Sequence, residues 1–265
     1  MNLETLNLVL GQGLGFRNYP ELKTMNTKTK TQSWKPQLGS FGKALPNSIA
    51  LNFSESGGAN CSTKCEALKK RVCYAVHVEK LKPSVQVSGQ RKRELGFAAL
   101  CEAYAAKIRR KVAKGEAIPW IRFSTFGSVP NRRLTGNEME AFADMVNSFP
   151  EGVPVHFPVE TREKAERFRA ICVAFDLPLV VRESCQSDAR MRSADNVGQS
   201  SRIVFEGATK LERLKNAQAL AKELPAARVC PAIASTVMRR PKPVKCGQCT
   251  LCAQAGIKTI LYPQH

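Results

Sequence analysis

Long apolar runs are missing from this chain of 265 residues: no stretch reaches the roughly 18 consecutive apolar positions that a membrane span needs. Aromatic residues are scarce at 7%, so a platform of stacking side chains for single-stranded nucleic acid is not in view. Acidic residues are few, 22 Asp and Glu against 41 Lys and Arg. The N-terminal stretch "MNLETLNLVLGQGLGF" lacks the basic start and long apolar centre of a secretory signal, which leads to the expectation of a cytoplasmic protein without membrane contact. No P-loop, dinucleotide fingerprint, Ser-His-Asp arrangement or helix-turn-helix is present.

What is abundant is positive charge and cysteine. The net charge of +19 points to a polyanionic partner, with DNA or RNA the leading expectation and a merely solvated basic surface the alternative. The excess is spread in short clusters at 69–71, 91–93, 109–111, 132–133 and 239–240. Of the ten cysteines, three stand apart from any cluster: Cys101 and Cys172 lie on helical patterns beside apolar neighbours and Cys185 follows a strand, and all three read as buried, inert thiols. The other seven fall into two groups. In a reducing compartment clustered thiols bind metal or do redox chemistry more often than they pair as disulfides.

The first group is Cys61, Cys65 and Cys73 in "CSTKCEALKKRVCYA", spaced C-x3-C-x7-C. Three thiolates on one short segment can hold three irons of a [4Fe-4S] cubane and leave the fourth open. They could also hold zinc with a further ligand, His77 being the nearest candidate, or be buried thiols. Lys69, Lys70 and Arg71 would offset thiolate charge. The second group is "CGQCTLC", Cys246, Cys249 and Cys252, with Cys230 upstream in "VCPA". This tight spacing lets three sulfurs meet one centre, and the set of four suits zinc or a second iron–sulfur cluster. The terminal His265 is a further candidate ligand.

Strand-like segments at 48–56, 119–125, 153–159, 177–184, 201–207 and 226–232 are separated by helical patterns at 86–114, 136–149, 161–175 and 209–224. That alternation predicts an α/β fold with a mostly parallel sheet: a partial, open parallel α/β barrel, with a flat doubly wound sheet as the alternative. A basic arm (1–47), a barrel domain (48–229) and a cysteine-rich metal-binding tail (230–265) are the expected divisions. Chemistry in parallel α/β folds gathers at the carboxyl ends of the strands, and the first cysteine group follows the first strand. Glu160 and Glu183 also follow or end strands, as acid–base candidates or as partners of Arg162 and Arg182. His156, inside "VPVHFPV", reads as a core residue.

Taken in order, a strand, a three-cysteine segment, a helical stretch, a second strand with a small-residue turn and a cysteine-rich end resemble radical S-adenosylmethionine enzymes with an auxiliary cluster. This chain has seven residues where that superfamily has two between the second and third cysteines. The resemblance implies that the cubane's open iron chelates S-adenosylmethionine and that Thr125, Phe126, Gly127 and Ser128 form the turn that meets its amino group. A nearer resemblance is to a family of phage- and plasmid-encoded proteins with the motifs CxxxC…CYA and CPA…CxxCxxC. Here these are "CSTKC…CYA" (61–75), "FGS" (126–128), "ESC" (183–185), "CPA" (230–232), "CGQCTLC" (246–252) and "YPQH" (262–265). It implies an iron–sulfur or zinc protein of a mobile element and brings no particular reaction. The leading expectation is a radical-SAM-like enzyme acting on nucleic acid or a nucleotide. A non-enzymatic, metal-stapled nucleic-acid-binding protein is the alternative. A transglycosylase-like base-exchange enzyme with structural zinc is the third; it would need aspartates at strand ends, and Asp144, Asp176, Asp188 and Asp195 are the residues to place.

Overall fold

Short runs of β-branched and aromatic residues, each followed by an amphipathic stretch long enough to cross back over a sheet, set the architecture. A computed structural model describes residues 36–38, 48–54, 74–124, 128–185, 187–195, 199–204, 206–224, 226–244, 249–254 and 256–263. Seven strands form one sheet: β1 (Ile49–Leu51), β2 (Ile121–Phe123), β3 (Val155–Val159), β4 (Val181–Cys185), β5 (Ser200–Val204), β6 (Ala227–Val229) and β7 (Thr259–Pro263). The order is β1-β2-β3-β4-β5-β7-β6, and every pairing is parallel. The first five strands succeed one another in chain order, as in a parallel barrel, and the sheet stays open at β1 and β6. The expected α/β class with an open parallel sheet is what the chain adopts.

Two details differ from the sequence reading. The helix expected over 86–114 is two helices, α2 (Pro83–Leu95) and α3 (Phe97–Ala113), preceded by α1 (Tyr74–Leu81). Gly96 separates them at φ +87°, a conformation that breaks the helical path and that side chains other than glycine rarely adopt. The second is β7, which the sequence reading did not identify. It lies in the cysteine-rich 230–265 stretch, and it sits inside the sheet between β5 and β6.

The remaining helices are α4 (Gly136–Asn147), α5 (Arg162–Ala174), α6 (Asp188–Asp195), α7 (Lys210–Glu223) and α8 (Pro231–Val237). Thr135 and Glu138 close a capping box on α4, Thr209 and Glu212 another on α7, and Thr161 caps α5 by accepting from the Lys164 amide.

Strand side chains alternate between faces, and this sheet divides them by polarity. One face carries Leu51, Phe123, Phe157, Val159 and Val181, which pack with Phe97, Phe142 and Phe168 of the helices in a buried core. Ring centroids there lie 4.3 Å (Phe123–Phe157) to 6.2 Å (Phe97–Phe142) apart. Each fully buried phenyl contributes ~1.5–3 kcal/mol. The opposite face carries Arg122 beside His156, Arg182, Ser184 beside Ser201, and Tyr262. Segment 249–258 covers this polar face. The buried Arg182 guanidinium donates to the carbonyls of Leu251, Cys252, Gln254, Ile257 and Lys258 at 2.7–3.5 Å.

Candidate active site

Polar groups converge where β1, β2, β3 and β4 end. Ser54, three residues past β1, is buried; its hydroxyl donates to the Ser128 carbonyl (3.2 Å) and accepts from the Ser128 amide (3.1 Å). Ser124, just past β2, holds φ +54°, a left-handed conformation uncommon for serine, while its amide still pairs with the Leu51 carbonyl. The Ser128 hydroxyl donates to Glu160 Oε2 at 2.7 Å.

Lys164 ties this group together. Glu160 directly follows β3 and Lys164 is the third residue of α5, so the short turn capped by Thr161 brings the two side chains together. The Lys164 ammonium is 1% exposed and donates to Ser128 Oγ (2.9 Å), the Val129 carbonyl (2.9 Å) and both Glu160 oxygens (3.1 and 3.4 Å). A buried cation is tolerable only with such a full set of acceptors. Glu160 keeps 19% of its side chain accessible, so the pair has one open side.

Beside it, Glu183 is fully buried and receives Arg190 Nε at 2.8 Å and Arg162 Nε at 3.5 Å. Arg190 also donates to the Glu160 carbonyl (3.2 Å), joining the two groups. Of the partners expected for these carboxylates, Arg162 meets Glu183 and Arg182 does not. Arg182 is on the other face, because strand neighbours point to opposite sides. The arrangement offers a held carboxylate, an ammonium and two partly exposed guanidiniums around one strand-end position. Those are groups suited to proton transfer and to binding hydroxyls, amines or phosphate.

Of the metal candidates, Cys61, Cys65, Cys73 and Cys246 lie outside the described residues, as do Thr125, Phe126, Gly127, His265 and the side chain of His77. Ser128 belongs to the network above. Cys230, Cys249 and Cys252 line one cavity of about 110 Å³ together with Arg122, His156 and Tyr262. Cys252 Sγ lies 2.8 Å from the Tyr262 hydroxyl. Burial pushes the Cys252 thiol up, while the Tyr262 bond and the charges of Arg182 and Arg122 pull it down. Among the described residues, no three Cys, His, Asp or Glu side chains already stand in a metal-holding group. The cavity brings cysteine side chains near the buried His156, residue types that soft metals take as ligands, and among the described residues His156 Nε2 has no hydrogen-bond partner.

Cys101, Cys172 and Cys185 are buried, as expected. Burial pushes the Cys172 thiol up to about 12, where it is inert. Asp144 pairs with Arg109 on the surface, Asp176 is in the turn after α5, and Asp188 and Asp195 bound α6; the strand-end acids described are Glu160 and Glu183. Sequence reasoning missed Ser54, Lys164 and Arg190. Only the Glu160–Lys164 spacing carried a signal, and spacing of that kind is common on solvated helices.

The fold and site thus define a class: a parallel α/β protein with a charged strand-end constellation on one side and a cysteine-lined cavity under the sheet. Residues 20–255 match the model of the family described as Gene product 88, and the chain belongs to that family. This agrees, at the level of family, with the resemblance to phage-type proteins and carries no link to radical S-adenosylmethionine enzymes. Nothing matches the chain among curated proteins or among solved structures. Among the described residues, no helix is long and apolar enough to cross a membrane.

Proposed function

We propose that this chain is an iron–sulfur enzyme acting on nucleic acid or a nucleotide, with its reaction centre at the carboxyl ends of β1 to β4. The observation that carries the reading is the Ser54–Ser128–Glu160–Lys164 network. It assembles buried charge at the sheet end where parallel α/β proteins do chemistry, and the segment bearing Cys61, Cys65 and Cys73 departs from Ser54. In this reading those three cysteines hold a [4Fe-4S] cubane, and the turn of Thr125, Phe126, Gly127 and Ser128 meets S-adenosylmethionine. When bound, such a cubane supplies the electron for reductive cleavage of that sulfonium. Lys164 holds the Glu160 carboxylate in place, and the accessible side of Glu160 accepts a hydrogen bond or proton from substrate. Arg162 and Arg190, each with one flank on Glu183, meet phosphate. Cys230, Cys246, Cys249 and Cys252 hold a second metal, zinc or another cluster.

The test is anaerobic purification followed by iron, labile sulfide and zinc analysis of wild type and Cys61→Ala/Cys65→Ala, with S-adenosylmethionine titrated by calorimetry. About four irons and four sulfides lost in the variant, with binding of the sulfonium to wild type, support the enzyme. The net charge of +19 favours a second reading, a metal-stapled protein that grips nucleic acid through phosphates. Zinc without iron, and no S-adenosylmethionine binding, would select it.

A further inference from the structure

Glu183 gathers more positive charge than it neutralises. Its carboxylate is fully buried, and each oxygen takes one guanidinium: Oε1 accepts from Arg190 Nε at 2.8 Å and Oε2 from Arg162 Nε at 3.5 Å. Two cations on one anion leave a surplus of one positive charge. Arg162 and Arg190 are 33% and 28% exposed, so that surplus is open to solvent at the strand ends. Arg169 also stands near this carboxylate, but its guanidinium is committed to the Val181 and Gln199 carbonyls, where β4 begins and just before β5.

The two exposed arginines are held alike. Each meets Glu183 through Nε and places one terminal nitrogen on a second neighbour: Arg162 Nη2 on Ser193 Oγ (3.0 Å) and Arg190 Nη2 on the Glu160 carbonyl (3.2 Å). Among the described residues neither Nη1 has an acceptor. A guanidinium fixed along one edge presents its remaining donors in a set plane, which is the geometry that meets phosphate oxygens. Both side chains leave the first turn of a helix, Arg162 as the first residue of α5 and Arg190 as the third of α6. The helix dipole disfavours a cation at that end and favours an anion.

We propose that Glu183 is a positioning residue that sets Arg162 and Arg190 as a clamp for one phosphodiester, so that the substrate at the strand ends is a polynucleotide and not a free nucleotide. A phosphodiester carries one negative charge and matches the surplus. A terminal phosphate carries about −1.5 to −2 at pH 7. Its second charge would stand near the Glu160 carboxylate, which keeps an open side next to the clamp. This inference rests on the reading that phosphate enters at the strand ends. It adds which phosphate that is and what orients the residues that meet it.

The experiment uses the full chain and two competitors with one phosphate each, thymidylyl-thymidine and thymidine 5′-monophosphate. Each displaces a labelled oligothymidylate, followed by fluorescence anisotropy at fixed salt. The chain's charge of +19 as a whole favours the monoester. The clamp instead makes the diester the better competitor by about fivefold, the scale of one like-charge contact near a protein surface. Arg162→Ala/Arg190→Ala erases that preference, weakens oligonucleotide binding about tenfold or more and lowers the salt slope by about one. Glu183→Gln decides the positioning role by sign. It removes a negative charge, so arginines acting by charge alone would bind the oligonucleotide more tightly; loss of preorganisation weakens binding about fivefold. Equal or tighter binding by Glu183→Gln overturns the positioning role. A monoester preference in wild type, or a diester preference that survives in the alanine pair, overturns the substrate class. Should Glu183→Gln fail to fold, Arg162→Lys/Arg190→Lys keeps the charges without the forks: affinity falls at constant salt slope, and unchanged affinity overturns the clamp. Absence of oligonucleotide binding by wild type overturns the clamp together with the nucleic-acid reading. Iron and sulfide content of the same preparations reports on the proposed reaction centre separately.

Discussion

Arg182 and Glu183 are adjacent in β4, both fully buried, and do not meet: the arginine lies on the polar face under the 249–258 segment, the glutamate on the opposite face against Arg162 and Arg190. One strand therefore serves both special regions of the molecule, holding the cysteine segment with one residue and the strand-end charges with the next. Each set is sensitive to substitution in a different way.

Lys164 and Glu160 act as a unit. Lys164→Met leaves a half-buried carboxylate without its cation and Ser128 without a donor, and should cost roughly 2–4 kcal/mol of stability. Glu160→Gln alone should also destabilise, by removing the carboxylate charge opposite a buried ammonium. In the double variant the two losses should not add, with a coupling of about 1–3 kcal/mol measured by denaturant unfolding of all four proteins. Simple additivity would show that the pair does not interact.

Arg182→Ala removes the donor for five carbonyls of the covering segment. We expect a loss of about 3 kcal/mol or more, together with new proteolytic cleavage between residues 240 and 258 under conditions where wild type resists. Arg182→Lys, a single point donor in place of a fork, should recover little of it. Wild-type resistance in Arg182→Ala would mean that the clasp is dispensable.

Glu138 gives a pH signature. The bidentate Arg132 bond, with the Thr135 backbone and hydroxyl, draws its carboxyl down to about 2 from the ordinary 4.5. A depressed carboxyl means that the unfolded chain binds more protons, so this contribution is present above about pH 4.5 and lost as pH falls towards 2. Arg132 is more than half exposed, and solvent screening limits the contribution to roughly 1 kcal/mol. Unfolding midpoints of wild type and Glu138→Gln should differ at pH 6 and converge by pH 2. A constant gap across that range would contradict the assignment.

The proposed phosphate-mediated grip on nucleic acid should weaken steeply with salt. Neutralising about three phosphates predicts a roughly 40-fold loss of affinity between 50 and 200 mM monovalent salt, read by fluorescence anisotropy with a labelled oligonucleotide. Affinity that ignores salt would remove the charge argument.

Much of the fold was readable because local signals and tertiary need coincide. Thr135 with Glu138 three residues on is a capping signature, and α4 begins there. The strands over 153–159 and 177–184 were marked by their apolar runs, although which face each residue takes was not. His156 is as buried as its apolar neighbours suggested, yet it lies on the polar side with Arg122. The helix break went unseen because apolar spacing continues on both sides of Gly96, and one glycine inside a helical pattern is ambiguous. β7 is a five-residue run beyond a cysteine-rich stretch, too short to stand out. The strand-end network was hidden for a deeper reason. Ser54 and Ser128 are 74 positions apart and Ser128 and Lys164 are 36 apart, so only the crossovers between parallel strands bring them together.

The position of β7 has a consequence for how the chain is made. Among the described strands β6 pairs with β7 alone, and β5 reaches β6 only through it. A ribosome that has released residues 227–229 has therefore produced a strand with no partner, and its edge stays open until residues 259–263 emerge. Between those moments Cys230, Cys249 and Cys252 are synthesised in turn. The cysteine-rich stretch is thus made within the interval in which this edge waits for its strand.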